Sequence, residues 1–455
     1  MKNFIYLCFA FLCGIIAYYA YTIIETEQHR SFLCNFGHAE SCAALGKSYI
    51  LGLNPNTEPD YLQAKEYLEK ACNLNNSRSC VYLGKLHGSG LGVTKDYTQA
   101  KGYYEKACNR LNDGRGCGYL SYSYSYGFGV SQNMEGAKLY AGKACKLEDA
   151  GCFFELAVAM KIANNAPGGI EMSELDTPEK IINFLDKITA YSKKQCDNDD
   201  EEACAFLGAL YITKENNSHG LSVLEKACNM NSAFGCGSLG DYYAEGKGGE
   251  PDYSKAKSYY EKGCKIDLTG DGGCSKLGTL YAEGTHVKQN YALAKTLFEK
   301  ACNMNDAEGC AGLGNLFLSG SGVRQDYDTA LSYFTVSCNL DEGKGCYALG
   351  YMYQSGKGVP EDYSKAIDYY EKSCSLREGS GCLMIGMVLE LADNEQSKTE
   401  AREYYGRACD LGEQTGCELY KKLNEEGEGK AKGNKNDYEQ RLKDIWGESH
   451  NKRNK

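Results

Sequence analysis

GCYALGYMYQSGKGVPEDYSKAIDYYEKSC, residues Gly345 to Cys374, is the stretch whose reading decides the fold. Cys346 is followed by Leu349, Gly350 and Tyr353 at offsets of three, four and seven, which puts them on one face of an α-helix. Gly356-Lys357-Gly358-Val359 then interrupts the pattern, since glycine supplies the positive φ of a tight turn without strain. A second helical run begins near Asp362 and Tyr363, carries Ala366, Tyr369 and Tyr370 three and four apart, and ends at Cys374. The unit is two antiparallel helices about a glycine turn.

The same unit recurs along the chain. Its first-helix slots hold Leu239, Gly240 and Tyr243; Leu277, Gly278 and Tyr281; and Leu313, Gly314 and Phe317. Twenty-two of the 24 cysteines form a ladder of close pairs: Cys34 with Cys42, Cys72 with Cys80, Cys108 with Cys117, Cys145 with Cys152, Cys196 with Cys204, Cys228 with Cys236, Cys264 with Cys274, Cys302 with Cys310, Cys338 with Cys346, Cys374 with Cys382 and Cys409 with Cys417. The leading cysteine advances by 35 to 38 residues in eight of the ten steps. A period of that size marks a solenoid, so the 455 residues are one all-α array of helix-turn-helix repeats and not three ordinary domains.

The link from Cys374 to Cys382 puts one cysteine on the last turn of a helix and the next on the first turn of its successor. Side chains there can meet across an αα-hairpin at disulfide distance, one local bridge per repeat. Each closes a loop of about nine residues, worth roughly 2–3 kcal/mol on the chain-entropy model. The rival is metal binding. Structural zinc sites usually use Cys-x2-4-Cys pairs converging in fours, whereas every pair here has six or more residues between its members. The expectation is eleven disulfides, no metal and no cofactor.

Residues 1–24 point the chain out of the cytoplasm. After Lys2, Phe4 to Ile24 run without a charge, and Glu25 and Glu27 follow. This is either a cleaved signal peptide or a retained anchor of about 20 apolar residues. Either delivers the rest to an oxidising compartment, periplasmic or extracellular, where disulfides persist. The array is expected over residues 31–424, as about ten helix pairs plus caps. A loop-like insertion, NNAPGGIEMSELDTPEK, covers 164–180, and the Cys204–Cys228 unit is short and lacks the glycine turn. Residues 425–455 read as a hydrophilic, disordered tail with an amphipathic turn around Tyr438 to Trp446. A net charge of −11 without a concentrated basic face argues against a nucleic-acid partner.

The string LGxLYxxGxGVxxDYxKAxxYYEKAC resembles the Sel-one-like repeat, a relative of the tetratricopeptide repeat. With a cysteine pair in nearly every repeat behind an export signal, the chain is similar to the Helicobacter cysteine-rich protein family. A monomer that binds protein, peptide or peptidoglycan-type fragments is expected, and the resemblance implies a right-handed α-solenoid of the adaptor kind whose first helices line a concave groove. It points to the position just after the recurring glycine, which holds Lys47, Lys85, Asp241, Thr279, Asn315, Tyr351 and Met387. Both charge signs and several sizes occur there, as on a reading surface, although any solvated position also varies. Members of that family are also described as penicillin-binding proteins or slow β-lactamases, which makes β-lactams the alternative ligand.

The residues themselves give that alternative little. A serine β-lactamase wants SxxK with SDN and KTG elements. An SxxK runs from Ser254 to Lys257, at a place where other repeats carry Thr98 to Lys101 or Ser364 to Ile367, and SDN and KTG are absent. The six histidines are scattered, and His87 sits in the slot that holds Tyr243 or Tyr281 elsewhere, so packing explains it better than ligation. The GxG of the repeat turns, as at Gly356 to Gly358, precedes an acidic residue such as Asp362, which would repel a phosphate. Most tyrosines recur at one place in the unit, as in Tyr369 and Tyr370, and read as core.

Overall fold

The computed structural model describes residues 27–52, 58–147, 189–190, 192–213, 217–390 and 395–426. The expected signal or anchor (1–24), the insertion (164–180), the Cys145–Cys152 pairing and the tail from 427 onward lie outside the described residues. Those residues are helical throughout, joined by turns, and divide into two compact units.

The first unit runs to Asp252 and takes in Lys262–Gly272. It contains the pairs Ala39–Leu51 with Tyr61–Asn73, Ser77–Ser89 with Tyr97–Glu105, Gly114–Tyr126 with Met134–Lys146, and Glu201–Thr213 with Asn217–Asn229, followed by Ala233–Ala244. The second comprises Tyr253–Glu261 and Gly273 onward. It pairs Cys274–Glu283 with Tyr291–Asn303, Ala307–Ser319 with Tyr327–Asn339, Gly343–Ser355 with Tyr363–Ser375, and Gly379–Glu390 with Glu395–Asp410, and ends on Gln414–Glu426. The Tyr253–Ile266 helix is divided between the two.

Local chemistry sets the helix ends. The aspartate of each DY motif is an N-cap: Asp96, Asp326 and Asp362 accept from backbone N–H groups two or three residues on, which satisfies donors that the helix leaves open. The first helix of the deciding stretch stops at Gly356, whose φ of 64° is left-handed, and Gly358 follows at 72°. A Cβ on Gly358 would stand 2.7 Å from Tyr327 Cβ, so this glycine is also needed for close approach to the preceding repeat.

Packing explains the recurring glycine inside the first helix. A Cβ on Gly314 would lie 2.5 Å from the Phe334 ring, and one on Gly350 or Gly386 2.6 or 2.5 Å from Tyr370 or Tyr405. The filler is thus the second member of each aromatic pair, on the second helix, and Phe334, Tyr370 and Tyr405 are fully buried. The first member stacks on the first-helix aromatic slot: Tyr353 on Tyr369 at 5.6 Å, Phe317 on Tyr333 at 5.9 Å. Offset stacking at such distances adds to the burial of area.

Nine of the cysteine pairs are bonded within their own loops. The bridges join Cys34 to Cys42, Cys72 to Cys80, Cys108 to Cys117, Cys196 to Cys204, Cys228 to Cys236, Cys302 to Cys310, Cys338 to Cys346, Cys374 to Cys382 and Cys409 to Cys417. Their Cα–Cα separations lie between 4.5 and 4.9 Å. Cys264 and Cys274 are disulfide-bonded as well. The second cysteine of a bridge opens a first helix and faces the core: Cys42, Cys80, Cys236 and Cys310 are fully buried. Cys417, in the last described helix, is half-buried.

The Cys108–Cys117 loop carries one residue more than its neighbours, and there the second helix ends in a π-helical turn, Lys106–Arg110. A π turn takes up an inserted residue without breaking the helix. Beside these bridges, Ser337 Oγ donates to Ala307 O and Ser373 Oγ to Gly343 O, tying each second helix to the start of its first-helix partner across 30 residues.

Candidate functional site

The position after the recurring glycine lies opposite the packed face, so its exposure depends on what else covers the first helix. In the second unit it is half-buried in one repeat and exposed in the next three. Asn315 is exposed, Tyr351 and Met387 are 37% and 36% exposed, and Thr279 is half-buried with its Oγ1 donating to Ser275 O at 3.1 Å. On either side of the row, Leu313, Gly314, Leu349, Gly350, Ile385 and Gly386 are buried. Tyr351 is held from the turn: Lys357 Nζ donates to its hydroxyl at 2.8 Å and sits 4.7 Å from the ring centroid. Exposed apolar residues on the second helices, such as Leu293 and Val336, fall at different helix positions and form no such row.

Near the N-terminal end of the same helices, Asp306 caps Ala307–Ser319, and burial pushes its carboxyl up to about 6 against the hydrogen bonds it accepts. Lys276 pairs with Glu308 at 2.7 Å. On the turn side, an open cleft of about 600 Å³ is lined by Phe317, Arg324, Asp326, Tyr327 and Asp328, one cation beside two carboxylates.

In the first unit the equivalent position is already occupied. Lys47 Nζ pairs with Glu201 at 3.0 Å and Lys85 Nζ with Glu202 at 3.0 Å, while Arg78 and Arg115 both pair with Asp200. Lys85, expected on a reading surface, is 8% exposed and lies over the Tyr119 ring at 4.9 Å. Glu202 and Arg115 accordingly belong to the same cluster. Although burial opposes it, attraction to Lys85 and then Arg115 brings the Glu202 carboxyl down to about 2. Asp241, the remaining first-unit candidate, is half-buried. The structure therefore brings Thr279, Asn315, Tyr351 and Met387 into one row and assigns Lys47 and Lys85 to an internal clasp. The spacing of the repeats gave no sign of that clasp, because its acidic half comes from Asp200–Glu202, more than a hundred residues beyond Lys85.

The serine β-lactamase alternative gains nothing from the geometry. Lys257 pairs with Glu261 at 3.2 Å, a hydrogen bond that raises its pKa, whereas a lysine base needs a lowered one. Ser254 lies exposed on the same helix. His87 is buried and stacked on Tyr103 at 5.4 Å, as packing requires. Among the described residues no group of three His, Cys, Asp or Glu could hold a metal ion, and no helix is long and apolar enough to cross a membrane.

The model for the Sel1 repeat matches residues 39–76, 77–110, 115–149, 233–267, 273–306, 307–342, 343–377 and 393–413. The short unit at Glu201–Asn229 falls in an unmatched stretch. No curated protein matches the chain. Among solved structures, a protective antigen of uropathogenic Escherichia coli displaying an SLR fold is 17% identical over 92% of this chain and 93% of its own, with a TM-score of 0.34. A Sel1 repeat protein from Oxalobacter formigenes is 18% identical over 78% and 89%, with a TM-score of 0.30. Cysteine rich protein B of Helicobacter pylori is 29% identical over 28% of this chain and 91% of its own, with a TM-score of 0.24.

Proposed function

Because this chain belongs to the Sel1 repeat family, we propose that it is an exported interaction scaffold whose second unit binds a protein or peptide segment along the Thr279–Asn315–Tyr351–Met387 row. Repeats of this family mediate protein–protein contacts, and the disulfides suit an oxidising compartment outside the cytoplasm. The observation that carries the reading is the row itself: three successive first helices expose the same position, after half-buried Thr279, while the residues beside it are buried. An apolar ring at Tyr351 and a pliable thioether at Met387 give such a surface its anchors, since aromatic residues and methionine are enriched where proteins meet.

The bridges add rigidity. A helix pair held at both ends loses little freedom when a ligand docks, which lowers the ordering cost of binding. Residues 4–24 would deliver the scaffold to the periplasm or beyond. No observation favours the β-lactam reading over this one.

The test is a paired substitution in the full-length protein. Tyr351→Ala with Met387→Ala truncates the row without touching the buried positions, and is expected to weaken the native complex by about tenfold or more, given the ~2 kcal/mol typical of an anchor residue. Asp368→Ala, exposed on a second helix, is the control. Equal retention of the complex by both variants would dismiss the reading.

A further inference from the structure

The row is bordered on one side by acid. Asp306 and Glu342 cap the first helices Ala307–Ser319 and Gly343–Ser355, and Glu378 and Glu413 immediately precede Gly379–Glu390 and Gln414–Glu426. The four recur at one place in successive repeats; Glu308, just inside the first of those helices, is paired with Lys276. Burial pushes the Glu342 carboxyl up, and Glu308 and Glu378 add to the effect, so these groups lie near enough to repel one another. The Tyr347 hydroxyl is raised by burial and then by Glu413, which extends the same negative field over an aromatic ring. Residues 273–426 carry fifteen Lys and Arg against twenty-three Asp and Glu; residues 427–455 reverse the balance, with eight against five.

We propose that this face is the docking surface for the chain's own residues 427–455, with Lys430, Lys432 and Lys435 beside the acidic caps and Leu442, Ile445 and Trp446 over Tyr351 and Met387. The proposal rests on the reading of the row as a docking surface and names its first occupant. Charge complementarity is one argument; reach is the other. The Gln414–Glu426 helix has 13 residues and so spans about 20 Å. Six extended residues at ~3.3 Å each cover that length, which brings Lys432 level with Glu413. The nineteen residues between Glu426 and Trp446 leave enough chain to return over the row, at a coil dimension of about 25 Å.

Tethering supplies an effective concentration in the millimolar range, so a weak intrinsic affinity is enough to hold the segment. Ammonium groups gain both from the carboxylates and from tyrosine faces. The contact is exposed, and exposed charges are screened within about 10 Å at 0.1 M salt. Salt is therefore the lever that should release it, and any external partner of the row must displace this segment.

Trp446 is the chain's one tryptophan, so its fluorescence reports on the segment in the unmodified protein. At 20 mM salt the emission should be blue-shifted and at least twofold less quenched by acrylamide than in the denatured chain. Raising salt to 500 mM, or substituting Lys430, Lys432 and Lys435 together by Glu, should restore full quenching. Tyr351→Ala with Met387→Ala should do the same at low salt. Full quenching of Trp446 at low salt in the native chain would overturn the proposal, as would protection that survives both sets of substitutions. Protection that grows with protein concentration would overturn it in favour of a second copy as the occupant. An exposed Trp446 alongside loss of the native complex on truncating the row would reject the tail as occupant and leave the docking surface standing.

Discussion

His87 occupies a slot built for an aromatic ring. It is 5% exposed, its two ring nitrogens find no hydrogen-bond partner within the structure, and burial, followed by Lys65, lowers its pKa. A histidine with a lowered folded pKa binds protons more readily when unfolded. Its stability contribution is therefore complete above about 6.5 and is lost as pH falls through the folded value. His87→Tyr, which restores the residue found in other repeats, should raise the melting temperature at pH 7 and raise it further at pH 5.5. An equal difference at both pH values would contradict this account. Arg377 is a second residue out of keeping with its site: it holds φ 65°, where equivalent positions carry Asn75, Asn231 and Asn305. Left-handed backbone costs an ordinary residue about 1–2 kcal/mol, and asparagine less. Arg377→Asn should accordingly gain about 1 kcal/mol, read as a melting-temperature rise of ~2–4 °C. The packing role of His87 was legible in the sequence, because the slot recurs. The strain at Arg377 was not, since arginine announces no turn and only the disulfide loop's geometry imposes that φ.

Three devices hold the pairs Ala307–Ser319 with Tyr327–Asn339 and Gly343–Ser355 with Tyr363–Ser375 in place: the buried aromatic against the first-helix glycine, the serine that bonds back to its partner helix, and the disulfide to the next pair. In the repeat bounded by Cys338 and Cys346, Phe334 fills the space at Gly314, Ser337 reaches Ala307 O, and the bridge joins this pair to the next. Replacing Cys338 and Cys346 together by Ser should lower stability by about 2–3 kcal/mol. Faster amide exchange should be confined to Tyr327–Asn339 and Gly343–Ser355, with distant repeats unchanged, because each repeat of a solenoid contacts only its neighbours. Uniform acceleration along the chain would show that the repeats are not locally closed. Helix boundaries and bridges were readable from the thirty residues Gly345–Cys374, since every element of the unit recurs in phase. The π turn at Lys106–Arg110 was foreshadowed only by a cysteine spacing of nine.

At the scale of the molecule, the two units use the same helix position for different ends. In the first, lysines after the glycine are neutralised by Glu201 and Glu202; in the second, Asn315, Tyr351 and Met387 are exposed. The sequence presents all these positions alike, because a one-dimensional repeat carries no information about which distant segment returns to cover a given helix. Folding the chain separates a clasp from a surface. The most direct measurement is to place a photo-crosslinking residue in the full-length, oxidised protein at 315, 351 or 387 in turn, and at 336 or 365 on the second helices for comparison. The account predicts discrete protein adducts from the first three positions and none from the other two. Adducts from both sets alike, or only from the second helices, would contradict it.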